Sequence, residues 1–235
     1  MARLPRLAVA DHAHVVLLRG HARQPVFRDD ADRATFLEAL QRACAAERVA
    51  LHAYALLAER VWLLCTPASA QGLGRAMQAL GRGFSAAFNR RHDRTGSVWD
   101  GRYRATVVEG GGPVLEAMVF VDQAPVRERA AAVAEEALWS SAGQHVGLDT
   151  RLALTDANAY WDLGNTPFDR CAAYRRLLDD PQSSQQIQRL SAATLRGWAV
   201  GSPGFLDRLR QMTARPVTPR PRGRPRRQAL PDRAS

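Results

Sequence analysis

Apolar positions in the first half of the chain switch between two periods, and each switch marks an element. Val15, Val16, Leu17 and Leu18 form a short β-branched-rich run that stops at Arg19-Gly20 and predicts a strand. Asp29, Asp30 and Asp32 place side-chain acceptors where a helix begins, and Phe36, Leu37, Leu40 and Cys44 follow at helical spacing. Two strand-like runs, 51–57 and 60–65, leave only Ala58 and Glu59 between them, which predicts a tight antiparallel hairpin that Pro67 then closes. A long helix over 72–92 carries Met77, Leu80, Phe84, Ala87 and Phe88 on an apolar stripe. Arg75, Gln78, Arg82, Ser85 and Asn89 make a polar stripe on another face. A strand over 103–108 follows Gly101, and after Gly110-Gly111-Gly112-Pro113 a further helix runs from 114 until Pro125.

The order strand, helix, strand, strand, helix, strand, helix predicts an α+β fold, the split β-α-β layout of a ferredoxin-like domain with an antiparallel sheet. Beyond Arg129 the pattern is helical and looser, with Trp139, Tyr160, Trp161, Tyr174, Leu177, Leu178, Leu190, Leu195, Trp198, Phe205 and Leu209 as packing candidates. The expected division is a ferredoxin-like domain over 1–128, a helical extension over 129–212 and a basic tail over 213–235.

Composition narrows the class. A chain of 235 residues that is 46% hydrophobic can bury a core without disulfides. Cys44, Cys65 and Cys171 are odd in number and far apart, which reads as reduced thiols in a cytoplasmic protein. The longest apolar, uncharged stretch, 49–58, is far short of the ~20 residues a membrane span needs. Thirty-three basic residues, every one an arginine, oppose 23 acidic ones for a net charge of +10. That charge is localised. Residues 75–104 hold seven arginines and two acids, and 213–228 hold six arginines and no acid. Arginine's planar donor fork suits phosphates and base edges, so the first segment reads as a nucleic-acid footprint. Its members are Arg75, Gln78, Arg82, Asn89, Arg90, Arg91, Arg102 and Arg104. In the second, Arg222, Arg224 and Arg226 alternate with proline and glycine, a composition that predicts disorder.

A series of short motifs carries a family resemblance. In order they are His14-Val15, Arg19-Gly20, Pro25-Val26-Phe27, Leu51-His52-Ala53-Tyr54 and Phe88-Asn89-Arg90-Arg91-His92. Gly96-Ser97-Val98-Trp99-Asp100-Gly101-Arg102-Tyr103, Pro125-Val126-Arg127 and Trp139-Ser140-Ser141 follow. Together they resemble the REP-associated tyrosine transposases, single-tyrosine nucleases of the HUH type. The resemblance implies a DNA partner, a short palindromic hairpin with an adjoining single strand. It also implies a monomer or homodimer, a nucleoid-associated cytoplasmic location, and Mg²⁺ or Mn²⁺ held by two histidines on one strand face. A helix-borne tyrosine would be the nucleophile, with an asparagine one turn later completing the metal shell. The tail's Arg-Gly-Arg-Pro core resembles an AT-hook, which implies contact with A·T-rich duplex through the minor groove.

At each position of that centre the chain departs from the pattern. Arg60 and Trp62 stand where the histidines belong, Phe120 where the tyrosine belongs, and Ala124 where the asparagine belongs. Arginine offers a metal no lone pair and phenylalanine has no oxygen to attack with. The expectation is a DNA-binding protein without metal cofactor whose strand-cleavage chemistry is lost. Trp62 is expected to fill the vacated pocket or stack an unpaired base, and Arg60 to grip a phosphate or stay solvated. Two alternatives stay open: an active transposase with ligands displaced to His12, His14 and His52, with Tyr54 as substitute nucleophile, or a protein-interaction module.

Overall fold

The computed structural model describes residues 6–180 and 182–219. Strand β1 (Ala13–Arg19) leads through a short turn to helix α1 (Asp30–Ala46), then strands β2 (Val49–Leu56) and β3 (Arg60–Pro67). Helix α2 (Gly72–Arg91) and strand β4 (Arg104–Val108) complete a β-α-β-β-α-β unit. The four strands order as β2-β3-β1-β4, all antiparallel, which is the ferredoxin-like topology the element order predicts. The hairpin forms with a slightly longer turn than expected, because β2 stops at Leu56 and Leu57 donates its N–H to the Arg60 carbonyl at 2.9 Å.

Alternation along the strands sends each residue set to its own core. Val16, Leu18, Tyr54, Val61 and Leu63 face α1 and α2, where they meet Phe36, Leu40, Leu80 and Phe84. Val15, Leu17, Ala53, Ala55, Trp62 and Leu64 face the other way. This second face is covered by α3 (Gly112–Asp122) and α4 (Ala124–Arg127). The expected single helix to Pro125 is broken at Gln123, because Pro125 has no N–H to continue the ladder. Outside it pack α5 (Ala142–His145), α6 (Asn158–Trp161), α7 (Pro167–Asp179) and α8 (Ser184–Arg196). Helix α9 (Pro203–Met212) joins Leu7, Val9 and Val107 in a third cluster.

The helical extension also seals the sheet. Along β2, Leu56 donates to the Trp139 carbonyl, Ser141 to that of Tyr54, and Thr155 to that of Leu51. Along β4, Val200 donates to Val107 and Glu109 donates back to Val200. The tail expected from 213 onward is docked over its first residues. Val217 is buried and accepts the Ala199 N–H at 2.9 Å, and Arg215 donates to the Gly197 carbonyl at 2.7 Å. An apolar side chain and a carbonyl within the arginine-rich run are enough to anchor it. Arg222, Arg224 and Arg226 lie outside the described residues.

Candidate nucleic-acid interface and the remodelled centre

Strand register and helix packing place Arg60, Trp62, Phe120 and Ala124, the positions at which the resemblance implies a catalytic centre. Trp62 on β3 pairs with Ala55 of β2 and with Leu17 of β1, which in turn pairs with Arg104 of β4. These side chains form one row across the sheet on the face that α3 covers. Phe120 descends from α3 onto this row, its ring 5.0 Å from the Trp62 ring in an edge-to-face arrangement. Trp62, Phe120 and Ala124 are all buried in the same cluster. Trp62 therefore packs as core, its small partner Ala55 making the room. Arg60 lies at the rim, 3.4 Å from the Glu128 carboxylate.

Arg127 closes the centre from outside. Its guanidinium carbon sits 4.2 Å from the Phe120 ring centroid, and Nη2 donates to the Phe120 carbonyl at 2.5 Å. That carbonyl is one of those the end of α3 leaves without a helical partner. Burial pushes the Arg127 guanidinium down to about 10. The divalent metal implied by the family resemblance does not fit these residues. A guanidinium, an indole and a methyl group offer no ligand set, and the surroundings of the indole and the methyl group are hydrocarbon.

Of the three histidines offered as displaced ligands, His14 and His52 have both ring nitrogens committed elsewhere, and His12 Nδ1 bonds to the Ala10 carbonyl at 2.7 Å. His14 is fully buried, with Nδ1 donating to the His12 carbonyl at 2.7 Å and Nε2 accepting the Val9 N–H at 3.2 Å. Burial holds it neutral, lowering its pKa to about 4. His52 lies between the Thr155 carbonyl at 2.7 Å and the Thr66 hydroxyl at 2.8 Å. Tyr54 projects from the opposite sheet face to Phe120, and burial raises its phenol to about 12. Among the described residues, no group of three or more His, Cys, Asp or Glu is placed to hold a metal.

Sequence patterning does not reveal a buried polar network beneath α3. Asp122 is fully buried and accepts from Ser141 Oγ at 2.5 Å, His145 Nδ1 at 2.6 Å and Tyr174 OH at 2.7 Å. His145 Nε2 donates to the His52 carbonyl at 2.9 Å, so both ring nitrogens donate and the imidazole is cationic. Burial opposes that charge, but the Asp122 carboxylate outweighs it and raises the pKa. Ser141 bonds to the carboxylate and not to the imidazole, so this is no nucleophile–base pair. The network pins α3 to α5 and α7. Its one visible trace is the Trp139-Ser140-Ser141 motif.

The arginine-rich face divides into engaged and unengaged groups. Arg91 holds Asp29 with both nitrogens, at 2.7 and 2.6 Å, and reaches the buried Asp32, tying the end of α2 to the start of α1. The Arg91 hydrogen bonds hold the Asp29 carboxyl well below its usual range. Arg75 pairs with Glu47 at 2.6 Å, and Asn89 donates to the Gly96 carbonyl at 2.9 Å. Arg82, Arg90, Arg102 and Arg104 make no ion pair among the described residues. Gln78, Arg82 and Arg102 converge on a cleft of about 450 Å³ between α2 and the loop before β4. Arg104, paired with Leu17, lies on the opposite sheet face from this cleft.

This architecture is that of an α+β protein with a four-stranded antiparallel sheet, helices on both faces and a basic cleft at one side. A scan against family models finds no match, and no curated protein matches. Among solved structures, the chain is similar to a REP-associated tyrosine transposase bound to a REP hairpin. The TM-score is 0.51 at 12% identity, over 66% of this chain and 93% of that one. That similarity establishes a shared fold, the one the motif resemblance implies. Among the described residues, no helix is long and apolar enough to cross a membrane.

Proposed function

We propose that the chain is a DNA-binding protein on a transposase fold that recognises hairpin DNA with an adjoining single strand and no longer cleaves it. The observation that carries this reading is the packing of Trp62, Phe120 and Ala124 into one hydrocarbon centre, where the resemblance implies a metal and a nucleophile. The unpaired arginines 82, 90 and 102 support retained binding, and the fold neighbour is itself bound to a REP hairpin. In this reading the domain over 1–128 carries recognition, and the helical extension holds it together. The tail, through Arg222, Arg224 and Arg226, adds contact with A·T-rich duplex in the nucleoid.

The test is a gel assay with labelled hairpin DNA carrying a single-stranded overhang, in Mg²⁺ or Mn²⁺. The expected result is a retarded complex and no covalent product; a 5′-phosphotyrosyl adduct overturns the loss of cleavage. Replacing Arg82, Arg90 and Arg102 together by alanine should weaken the complex at least about tenfold. Unchanged binding would remove this footprint and place the contact elsewhere on the chain, whereas the absence of any retarded complex would remove the DNA reading.

A further inference from the structure

The cleft beside α2 contains an unusual donor. Trp99 is 8% exposed, and its Nε1–H is buried with no acceptor. Leaving a buried N–H unpaired is costly, and native structures seldom tolerate it without a purpose. The ring has little freedom to turn away. Phe36 and Phe84 pack against it at 5.9 and 5.7 Å, and its backbone is bridged to Gly20 of the loop after β1.

The helix opposite is shaped around this donor. Gly74 and Gly81 recur two turns apart on the face of α2 that lines the cleft. A Cβ on Gly81 would stand 4.0 Å from Trp99 Nε1, and one on Gly74 would stand 3.9 Å from the Tyr103 hydroxyl. Helix-interior glycine is unfavourable relative to alanine, so two on one face keep open a space that propensity alone would fill. Gln78 and Arg82 lie on the same wall, and Arg102 lies across the cleft.

The chemistry of the walls selects a ligand. Indole is donor-only, so the ligand must present an acceptor at the bottom of the cleft. Two arginines without ion pairs at the mouth ask for an anion. Arg6 and Tyr103 both line the cleft, and the Arg6 guanidinium, stacked 4.0 Å from the Tyr103 ring centroid, adds a planar layer on which something flat can lie. A planar acceptor joined to an anion is a nucleotide, and a base inside a duplex could not enter.

We propose that the Trp99 cleft binds one unpaired nucleotide, whose base accepts the Trp99 Nε1–H and whose phosphate is held by Arg82 and Arg102. The nucleotide comes from a single strand or is free. The proposal rests on the reading of this face as a nucleic-acid surface and adds the subsite, the reading group and the unpaired state.

The test follows the indole N–H signals of the ¹⁵N-labelled full chain by NMR, with the Trp99 resonance assigned by its loss in Trp99→Phe. Deoxynucleoside 5′-monophosphates, a short single-stranded oligonucleotide and a blunt hairpin without overhang are titrated separately. The Trp99 signal should move downfield with the oligonucleotide, and Trp99→Phe should weaken oligonucleotide binding about tenfold. A shift with monophosphates alone keeps the subsite and assigns it to free nucleotide. Gly81→Ala is the control for folding. Its methyl meets only ordinary van der Waals contacts and favours the helix, yet it crowds the donor, so it should keep the fold and lose the shift. No movement of the Trp99 signal with any ligand overturns the subsite. If the hairpin with overhang is still retarded in gels, the DNA reading survives that failure; if it is not, both fall.

Discussion

At Phe120, where the motif resemblance implies a nucleophilic tyrosine, the ring packs as core against Trp62. Phe120→Tyr should therefore give no covalent DNA product in Mn²⁺, because Arg60, Trp62 and Ala124 supply no metal to polarise a phosphate. An adduct in a denaturing gel would disprove it. Asp122 is the costlier residue to disturb. Asp122→Ala strands a buried imidazolium and two hydroxyls, and should lower stability by about 3–5 kcal/mol in urea unfolding. Three histidines are buried, and they make stability fall at both pH extremes: His14 and His52, lowered by burial, on the acid side and His145, raised, on the basic side. His14 is lowered to about 4, so its contribution is complete above the unfolded value near 6.5. It is lost as pH falls toward 4, roughly 3 kcal/mol in all. His145 is raised, so its contribution is complete below its unfolded pKa and fades as pH climbs through the raised value. His14→Gln should flatten the acid limb of urea midpoints measured against pH; an unchanged limb would locate that loss elsewhere. Trp62, Phe120 and Ala124 could be singled out in the sequence because the motifs that carry the resemblance flank them on both sides. The Asp122 network could not, because its partners come from elements 19 to 52 residues away and carry no periodic signature.

Helix α2 shows what a hydrophobic period reveals and what it hides. Of its apolar stripe, Met77, Leu80, Phe84 and Phe88 are buried as the spacing predicts, while Ala87 is half-buried. The polar stripe is real, but periodicity cannot see what stands across from it. Glu47 follows the end of α1 and Asp29 precedes its start, and these capture Arg75 and Arg91. The consequence is unequal arginines. Arg82→Ala should reduce the slope of log affinity against log salt by about 1, whereas Arg75→Ala should change it less, because Glu47 already neutralises that charge. Fluorescence anisotropy across a salt series measures both, and equal slopes would mean that Glu47 releases Arg75 on binding. Strand β4 teaches a similar lesson. Arg102 and Arg104 are close in sequence, yet Arg102 lines the cleft while the pairing of Arg104 with Leu17 sends it to the far face.

At the scale of the whole molecule, the helical extension packs over α3, lays α8 against β4 and β1, and supplies partners to both sheet edges. Ending the chain after Arg129 should expose the outer side of α3, the α8 side of β4 and both edges, and such a fragment should be insoluble or aggregated by light scattering. A soluble, folded fragment would show that the extension is dispensable. The tail is a separate matter. Arg215 and Val217 are docked, so a deletion aimed at DNA contact should begin at residue 220. It removes six arginines, and if all of them meet phosphates on a single strand the salt slope should shrink by about 4. A change under about 1 would make the tail a bystander. The fold class could be read from element order, whereas the sealing of the edges could not, since irregular segments at Trp139, Thr155 and Val200 do that work without a strand pattern. The seal on β4 has a consequence in time. Val200 lies 93 residues beyond its partner Val107, and Leu7 and Val9 wait still longer for Val217. During synthesis the sheet therefore passes through a stage with its last strand unprotected, and ribosome-stalled chains ending before residue 198 should be cut by protease at β4 where longer ones resist.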